Sequence, residues 1–325
     1  MFPTLRYWLV AAQAAFVLSL AAISARPIPF EYSRPMGAAL MIWSAGFLFL
    51  LVRTAMFETR ADRPVTSFVL GIKGEAGTLW KAFTYALLLG LAMALHGWAK
   101  TMIPHVGGYW ADPMLADLDY RLFGQDPWHL FRFDGLGPLF SKIYVSWFPV
   151  TFGTMGLLAF SKRDHSVLLT SFLAILIIIG TMGQYVLPSA GPIFYERLGL
   201  GARFDELIVT TDPSVNFLAD YLWRNFESGG ANLGTGISAM PSMHVTMAVW
   251  TAFAARAIWR PLVVPAVLYA LIIYITSVAS GWHYATDGLV GAALATITCL
   301  WLSRRAQQAP KSGLAAEPAA AGALA

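Results

Sequence analysis

A single cysteine, Cys299, stands in the 325-residue sequence, so neither an intrachain disulfide nor a cysteine-based metal site is open to it. Charge is also scarce. Only 12% of residues are Asp, Glu, Lys or Arg, against about 25% in an ordinary soluble domain. No internal repeat is evident, and no cluster of potential ligands competes for a metal. The net charge of +4 is spread in short basic clusters between apolar runs, which speaks against a nucleic-acid surface. What remains is apolar: 57% hydrophobic residues and a mean hydropathy of +0.60. The 14% aromatic content suits Trp and Tyr at a membrane interface.

Eight apolar runs, at 6–24, 36–57, 80–99, 138–160, 165–187, 241–259, 262–279 and 285–302, have the ~17–25 residues needed to cross a ~30 Å hydrocarbon core. They predict an all-α, polytopic membrane helix bundle. The first run has no clear small-x-small cleavage site ahead of a soluble domain, so it is read as a membrane helix rather than a signal peptide. The short turns with Lys162 and Arg163, and with Arg256 and Arg260, predict that these turns and both termini are cytoplasmic. Arg26 and Arg34 run against that pattern.

Three regions are expected: N-terminal membrane helices with an amphipathic surface helix over 1–137, a membrane bundle over 138–305 with an outer cap loop at 188–239, and a disordered tail over 306–325. In 112–124, Leu115, Leu118 and Leu122 recur at helical spacing, Asp117 and Arg121 sit i, i+4 on another face, and Gly124 ends the pattern. This segment reads as a helix lying on the membrane surface, or as a packed loop helix without functional meaning. The long 188–239 segment carries Phe204, Phe217, Tyr221 and Trp223, which favour an ordered cap, and ends in a Gly/Ser-rich tract at 228–236.

The chemistry gathers between Met240 and Asp287. Asp287 follows His283 by four residues, so on a helix it can accept an imidazole N–H, fix the tautomer and leave the other nitrogen as a nucleophile. Such a pair also arises by chance. His244, in Pro241-Ser242-Met243-His244, opens the sixth apolar run, where a helix N-terminus favours phosphate and Ser242 can cap or contact an anion. Proline suits the first helical turn there. Two crossings separate His244 from His283, so both must lie on one side of the membrane. One phosphate can bridge the two rings only if they come within ~10 Å of each other.

These residues resemble the type 2 phosphatidic acid phosphatase superfamily, and within it the inositol phosphorylceramide synthase branch. The superfamily's Pro-Ser-Gly-His motif is matched by Pro241-Ser242-Met243-His244, and its His-x-x-x-Asp by His283-Tyr284-Ala285-Thr286-Asp287. The His-Tyr pair and the larger Met243 in place of glycine are more similar to the synthase branch. The resemblance covers roughly 140–302 and implies a six-helix phosphatase-like core. It further implies His283 as the nucleophile forming a phosphohistidine, Asp287 as its orienting acid, and His244 as the acid for the leaving group. Ser242 and the Met243 amide would then hold phosphate oxygens, with no metal and no cofactor. Two departures stand out. Ser277 occupies the position of the third motif's arginine, and the first motif, Lys-x6-Arg-Pro, has no match. A phosphoryl transition state needs positive support. The expected source is Arg197 in the cap loop, with Tyr195 as a hydrogen-bond donor and Lys142 or Arg224 as runners-up.

The expected function is transfer of a phospho-alcohol group between a phospholipid and an alcohol acceptor at the non-cytoplasmic face. The first alternative is a lipid phosphate phosphatase and the second a non-catalytic transporter or scaffold. A transporter is expected to show mid-span charges or paired broken helices. The runs hold prolines such as Pro149 and Pro265 but few charges.

Overall fold

The computed structural model describes residues 2–24, 27–58, 62–132, 135–229 and 235–308. Helices α1 (Phe2–Ile23), α2 (Ser33–Glu58), α3 (Pro64–Gly74), α4 (Ala76–Val106) and α5 (Asp112–Phe123) come first. They are followed by α6 (Gly137–Val145), α7 (Trp147–Ala159) and α8 (Ser166–Ala174), which continues as a π-helical stretch, Ile175–Met182. The long connection beyond it carries α9 (Asp205–Thr210) and α10 (Pro213–Ser228). Helices α11 (Met243–Ile258), α12 (Val263–Ala279) and α13 (Ala285–Gln308) close the fold.

Among the described residues there is no strand, and six helical stretches are long and apolar enough to cross a membrane. Large apolar side chains on them, such as Met41, Leu48, Phe49, Leu271 and Ile297, are exposed. That is the surface of an integral membrane protein, a polytopic helical bundle whose outer face meets lipid.

Two expected spans differ from these six. The run at 138–160 is divided at Ser146 into α6 and α7. Pro149 cannot donate, and its ring crowds the carbonyl of Val145. The Ser146 hydroxyl meanwhile bonds the Ile143 carbonyl at 2.6 Å. The run at 241–259 yields only the 16 helical residues of α11. Pro241 stands outside that helix, before its N-cap Ser242, not in its first turn. At the other end of the chain, α13 runs to Gln308, past the expected start of the tail at Ala306; residues 309–325 lie outside the described residues, as do 230–234 of the Gly/Ser-rich tract.

Helix α11 is the centre of the bundle. Its Trp250 is fully buried and donates to the Leu168 carbonyl (3.1 Å) and Ser171 Oγ (3.2 Å) of α8. Helix α13 lies against the first turn of α11 because residue 291 is glycine. A β-carbon there would meet Thr246 Oγ1 at 2.5 Å and the Ser242 carbonyl oxygen at 2.8 Å. The backbone amide of Ser242 donates to the Asp287 carbonyl (3.1 Å), joining the two helix starts.

Helix α5 forms where a helix was expected, at 112–124. Its buried face is Asp112, Leu115, Ala116 and Asp119, at i, i+3, i+4 and i+7, while Leu118 and Leu122 are exposed. Asp117 pairs with Arg203 (2.7 Å) rather than with Arg121. The αL residue after the helix is Gly124, φ 75°, as a C-terminal glycine allows. The two buried carboxylates are bonded to backbone. Asp112 accepts from the amides of Ala190 (2.8 Å) and Gly191 (2.9 Å) and from the Tyr284 hydroxyl (2.8 Å). Asp119 accepts from the amides of Ala285 (2.6 Å) and Thr286 (3.0 Å).

Candidate active site

The start of α11 presents His244. Ser242 caps the helix, its hydroxyl accepting from the Val245 amide (3.5 Å) and its carbonyl from the Thr246 amide (3.0 Å). The amides of Met243 and His244, first in the helix, are left without an intrahelical acceptor and carry the positive end of the helix dipole. The His244 ring is fixed by aromatics. Its Nδ1 lies 2.9 Å from the Tyr144 hydroxyl, the Tyr144 ring stacks on it at 4.3 Å, and Trp147 meets it edge-on at 4.7 Å.

His283 sits in the turn between α12 and α13. The turn needs Gly281 at φ 72°, where a β-carbon would meet Leu207 Cδ2 at 2.6 Å. The Ser277 carbonyl accepts from the amides of Trp282 (3.1 Å) and His283 (3.3 Å), and the Ser277 hydroxyl donates to the Tyr274 carbonyl (2.7 Å). Residue 277 is therefore committed to shaping the turn. The Nδ1 of His283 lies 3.4 Å from Asp287 Oδ2, an open contact rather than a tight bond. That oxygen accepts from the Tyr284 amide (2.9 Å), so the carboxylate is itself held in place. Both residues are buried. Burial, reinforced by the nearby Lys100 charge, lowers the pKa of His283 to about 3, which keeps its ring neutral near pH 7.

The two histidine rings lie 5.7 Å apart between centroids, edge to face. This is well inside the ~10 Å limit for sharing one phosphate. The structure thus brings His244, His283 and Asp287 together with Ser242 and Met243. Arg197 and Tyr195 stand elsewhere in the cap. Arg197 forms an ion pair with Asp220 of α10, its guanidinium 5.9 Å from the Trp223 ring. Tyr195 is buried edge-on against Phe204, with ring centroids 5.0 Å apart, in the cluster that also holds Tyr284.

Among the described residues, the cation whose charge is felt at the histidines is Lys100 of α4. Its charge acts on both the His244 and His283 rings. Residues 235–237 lie directly on it: at Gly236, φ 95°, a β-carbon would stand 2.6 Å from Lys100 Cβ. One turn earlier on α4, His96 Nδ1 is 3.3 Å from Thr181 Oγ1 of the π-helical stretch, and Thr181 also receives the Gln13 side-chain amide (2.8 Å). Lys100 directly follows the apolar run at 80–99, where a lysine reaching for the interface is the ordinary reading. The signal that could have found it is the His96–Lys100 spacing of four, which puts two ionisable groups on one face of a membrane helix. Among the described residues, no three His, Cys, Asp or Glu side chains form a metal-holding group.

A family model described as the PAP2 superfamily matches residues 132–301, just over half the chain. No curated protein matches, and no solved structure matches. The matched segment contains both histidines and Asp287, in the order and geometry just described, and it leaves out Lys100 and the carboxylates of α5. The chain belongs to the PAP2 superfamily, and with it to the lipid enzymes of phosphatase and phosphotransferase type.

Proposed function

We propose that the protein moves a phospho-alcohol group from a phospholipid to an alcohol through a phosphohistidine on His283. The observation that carries this reading is the 5.7 Å separation of the two rings, His283 buried beside a carboxylate and His244 half-buried at a helix N-terminus. The ring nitrogen of His283 that does not face Asp287 attacks phosphorus, and a P–N bond forms as the P–O bond to the departing lipid alcohol breaks. His244 gives its proton to that oxygen. The acceptor hydroxyl then returns a proton to His244 and attacks phosphorus, and the P–N bond breaks. Asp287 orients His283 and balances the charge it acquires. Ser242, the amides of Met243 and His244, and the Lys100 ammonium support the negative charge on the phosphoryl oxygens. Lys100 is preferred to Arg197 for this role because Arg197 spends its charge on Asp220.

Transfer is preferred to hydrolysis because His283 is buried and Tyr144 and Trp147 pack on His244. An enclosed phosphoryl group meets little water. The basic turns at Lys162–Arg163 and Arg256–Arg260 support a site on the non-cytoplasmic face, with both termini cytoplasmic.

The test is purified protein with ³²P-labelled phosphatidylinositol or phosphatidic acid and candidate alcohols. Label in a new phospholipid supports transfer. Label released only as free phosphate from phosphatidic acid, or as inositol phosphate from phosphatidylinositol, sinks it in favour of hydrolysis. Activity is expected to survive EDTA; loss with EDTA and recovery with a divalent metal contradicts the metal-free route.

A further inference from the structure

We infer that α5 is a positioning element for the histidine pair, with Asp119 and Asp112 holding the His283 turn in register with the start of α11. The clamp is drawn from hydrogen bonds alone; only its effect on turnover rests on the phosphoryl-transfer reading above.

Asp119 takes the first two amides of α13, Ala285 (2.6 Å) and Thr286 (3.0 Å), which no carbonyl within that helix can reach. A cap of this kind ordinarily comes from the residue just before the helix. Here it comes from more than 160 residues away and is 1% exposed. Its negative charge also suits the positive end of α13. Asp112 ties Tyr284, the residue after His283, to the amides of Ala190 and Gly191. That loop in turn braces the other side of the turn. The Ile193 amide donates to the Gly281 carbonyl (2.9 Å), and Gly191 packs so closely that a β-carbon would meet the Trp282 oxygen at 2.5 Å. Residues 281–282 and 284–286 are thus fastened on both sides of His283.

The consequence is directional. Two helix N-termini meet at the site. Asp119 closes that of α13 to an anion, while that of α11 keeps the amides of Met243 and His244. A phosphoryl group is therefore drawn to the α11 side of His283, where His244 stands. Replacing Asp119 by Asn leaves one acceptor for two buried amides and turns an NH₂ toward a donor. The turn then loses its register, and small misplacements of reacting groups are costly.

The experiment uses the full chain in detergent, with ¹⁵N-labelled histidine and His283→Gln to assign the ring signals. Wild type is compared with Asp119→Asn, Asp119→Glu, Asp112→Asn and the control Asp117→Asn, which weakens the ion pair with Arg203, leaves that residue's bond to the Ala116 carbonyl (3.0 Å), and touches nothing in the turn. Each is read for the His283 ring resonances, the melting temperature, and turnover of ³²P-labelled dioctanoyl phosphatidic acid. Asp119→Asn and Asp112→Asn are expected to shift or broaden the His283 resonances. They are also expected to lower kcat roughly ten- to a hundredfold with KM within about twofold. Asp119→Glu should recover part of both, and Asp117→Asn should lower the melting temperature without moving either. The inference is overturned if Asp119→Asn and Asp112→Asn leave ring and kcat unchanged, or if Asp117→Asn moves them as much for an equal loss of melting temperature. Should one variant not fold, the other carries the comparison. A wild type inert toward the lipid whose ring still responds to Asp119→Asn supports the clamp and counts against the chemistry proposed above.

Discussion

Residues 132–301 and the helices before them approach the site with different kinds of groups. The family-matched part brings the two imidazoles and Asp287, close in sequence to the turns that orient them. The earlier part brings Lys100 on α4, and Asp112 and Asp119 on α5. On the reading proposed above, the division is between groups that make and break bonds and groups that set the field and geometry around them. It follows that the reacting groups travel as a short, recognisable pattern, while the supporting groups need only reach the right place from any helix.

His283→Ala should produce the largest effect, since it removes the proposed nucleophile. A loss of turnover on the order of 10⁴-fold or more is expected, together with loss of any ³²P trapped on the protein. If His283→Ala and His244→Ala both keep full activity, the division has no catalytic meaning and the transporter or scaffold reading returns. Lys100→Met tests the other region and should cost roughly 10²–10³-fold, as loss of one preorganised donor does. Arg197→Gln should cost little by comparison. If the two results are reversed, the cation comes from the cap and α4 only packs. Asp287→Asn keeps the shape of the site but weakens the hold on His283. A loss of about 10²-fold without a change in melting temperature is expected, smaller than in tightly bonded triads because the contact here is 3.4 Å.

The smallest effect is on stability against pH. The folded protein holds His283 down to about 3, below its ordinary value of 6.5. Between those values the unfolded chain takes up a proton that the folded one refuses. The contribution is therefore fully present above about pH 6.5 and is lost as pH falls toward 3. The melting temperature of wild type should fall more between pH 7 and pH 5 than that of His283→Gln. Equal slopes would show that the ring is not held neutral by the fold.

The histidines could be found from the sequence because their evidence is local and topological. Their motifs are short, and an even number of apolar runs separates them whatever the orientation. Lys100 offered only its spacing of four from His96, which puts both on one helix face. A lone lysine after an apolar run looks the same whether it reaches for the interface or turns inward, and only packing decides. The carboxylates of α5 failed for another reason. The leucines at 115, 118 and 122 suggested one face, but the helix buries the face that starts and ends on aspartate, because each aspartate finds backbone amides from a distant segment. Such bonds have no signature in local spacing. The Ser146 break was announced by Pro149, yet a proline in the middle of a long run does not say whether the helix bends or divides.

The shortness of α11 bears on where the lipid meets the enzyme. Its 16 residues rise only about 24 Å, less than the ~30 Å of a typical hydrocarbon core. On the proposed topology, with Arg256 and Arg260 at one water boundary, the His244 end lies below the opposite one, at the floor of a recess walled by the helices around α11. On the transfer reading proposed above, a phospholipid would then present its phosphate with little lifting out of the membrane. The burden of descent would fall on the acceptor, which favours an alcohol already dissolved in the membrane, or one small enough to enter the recess.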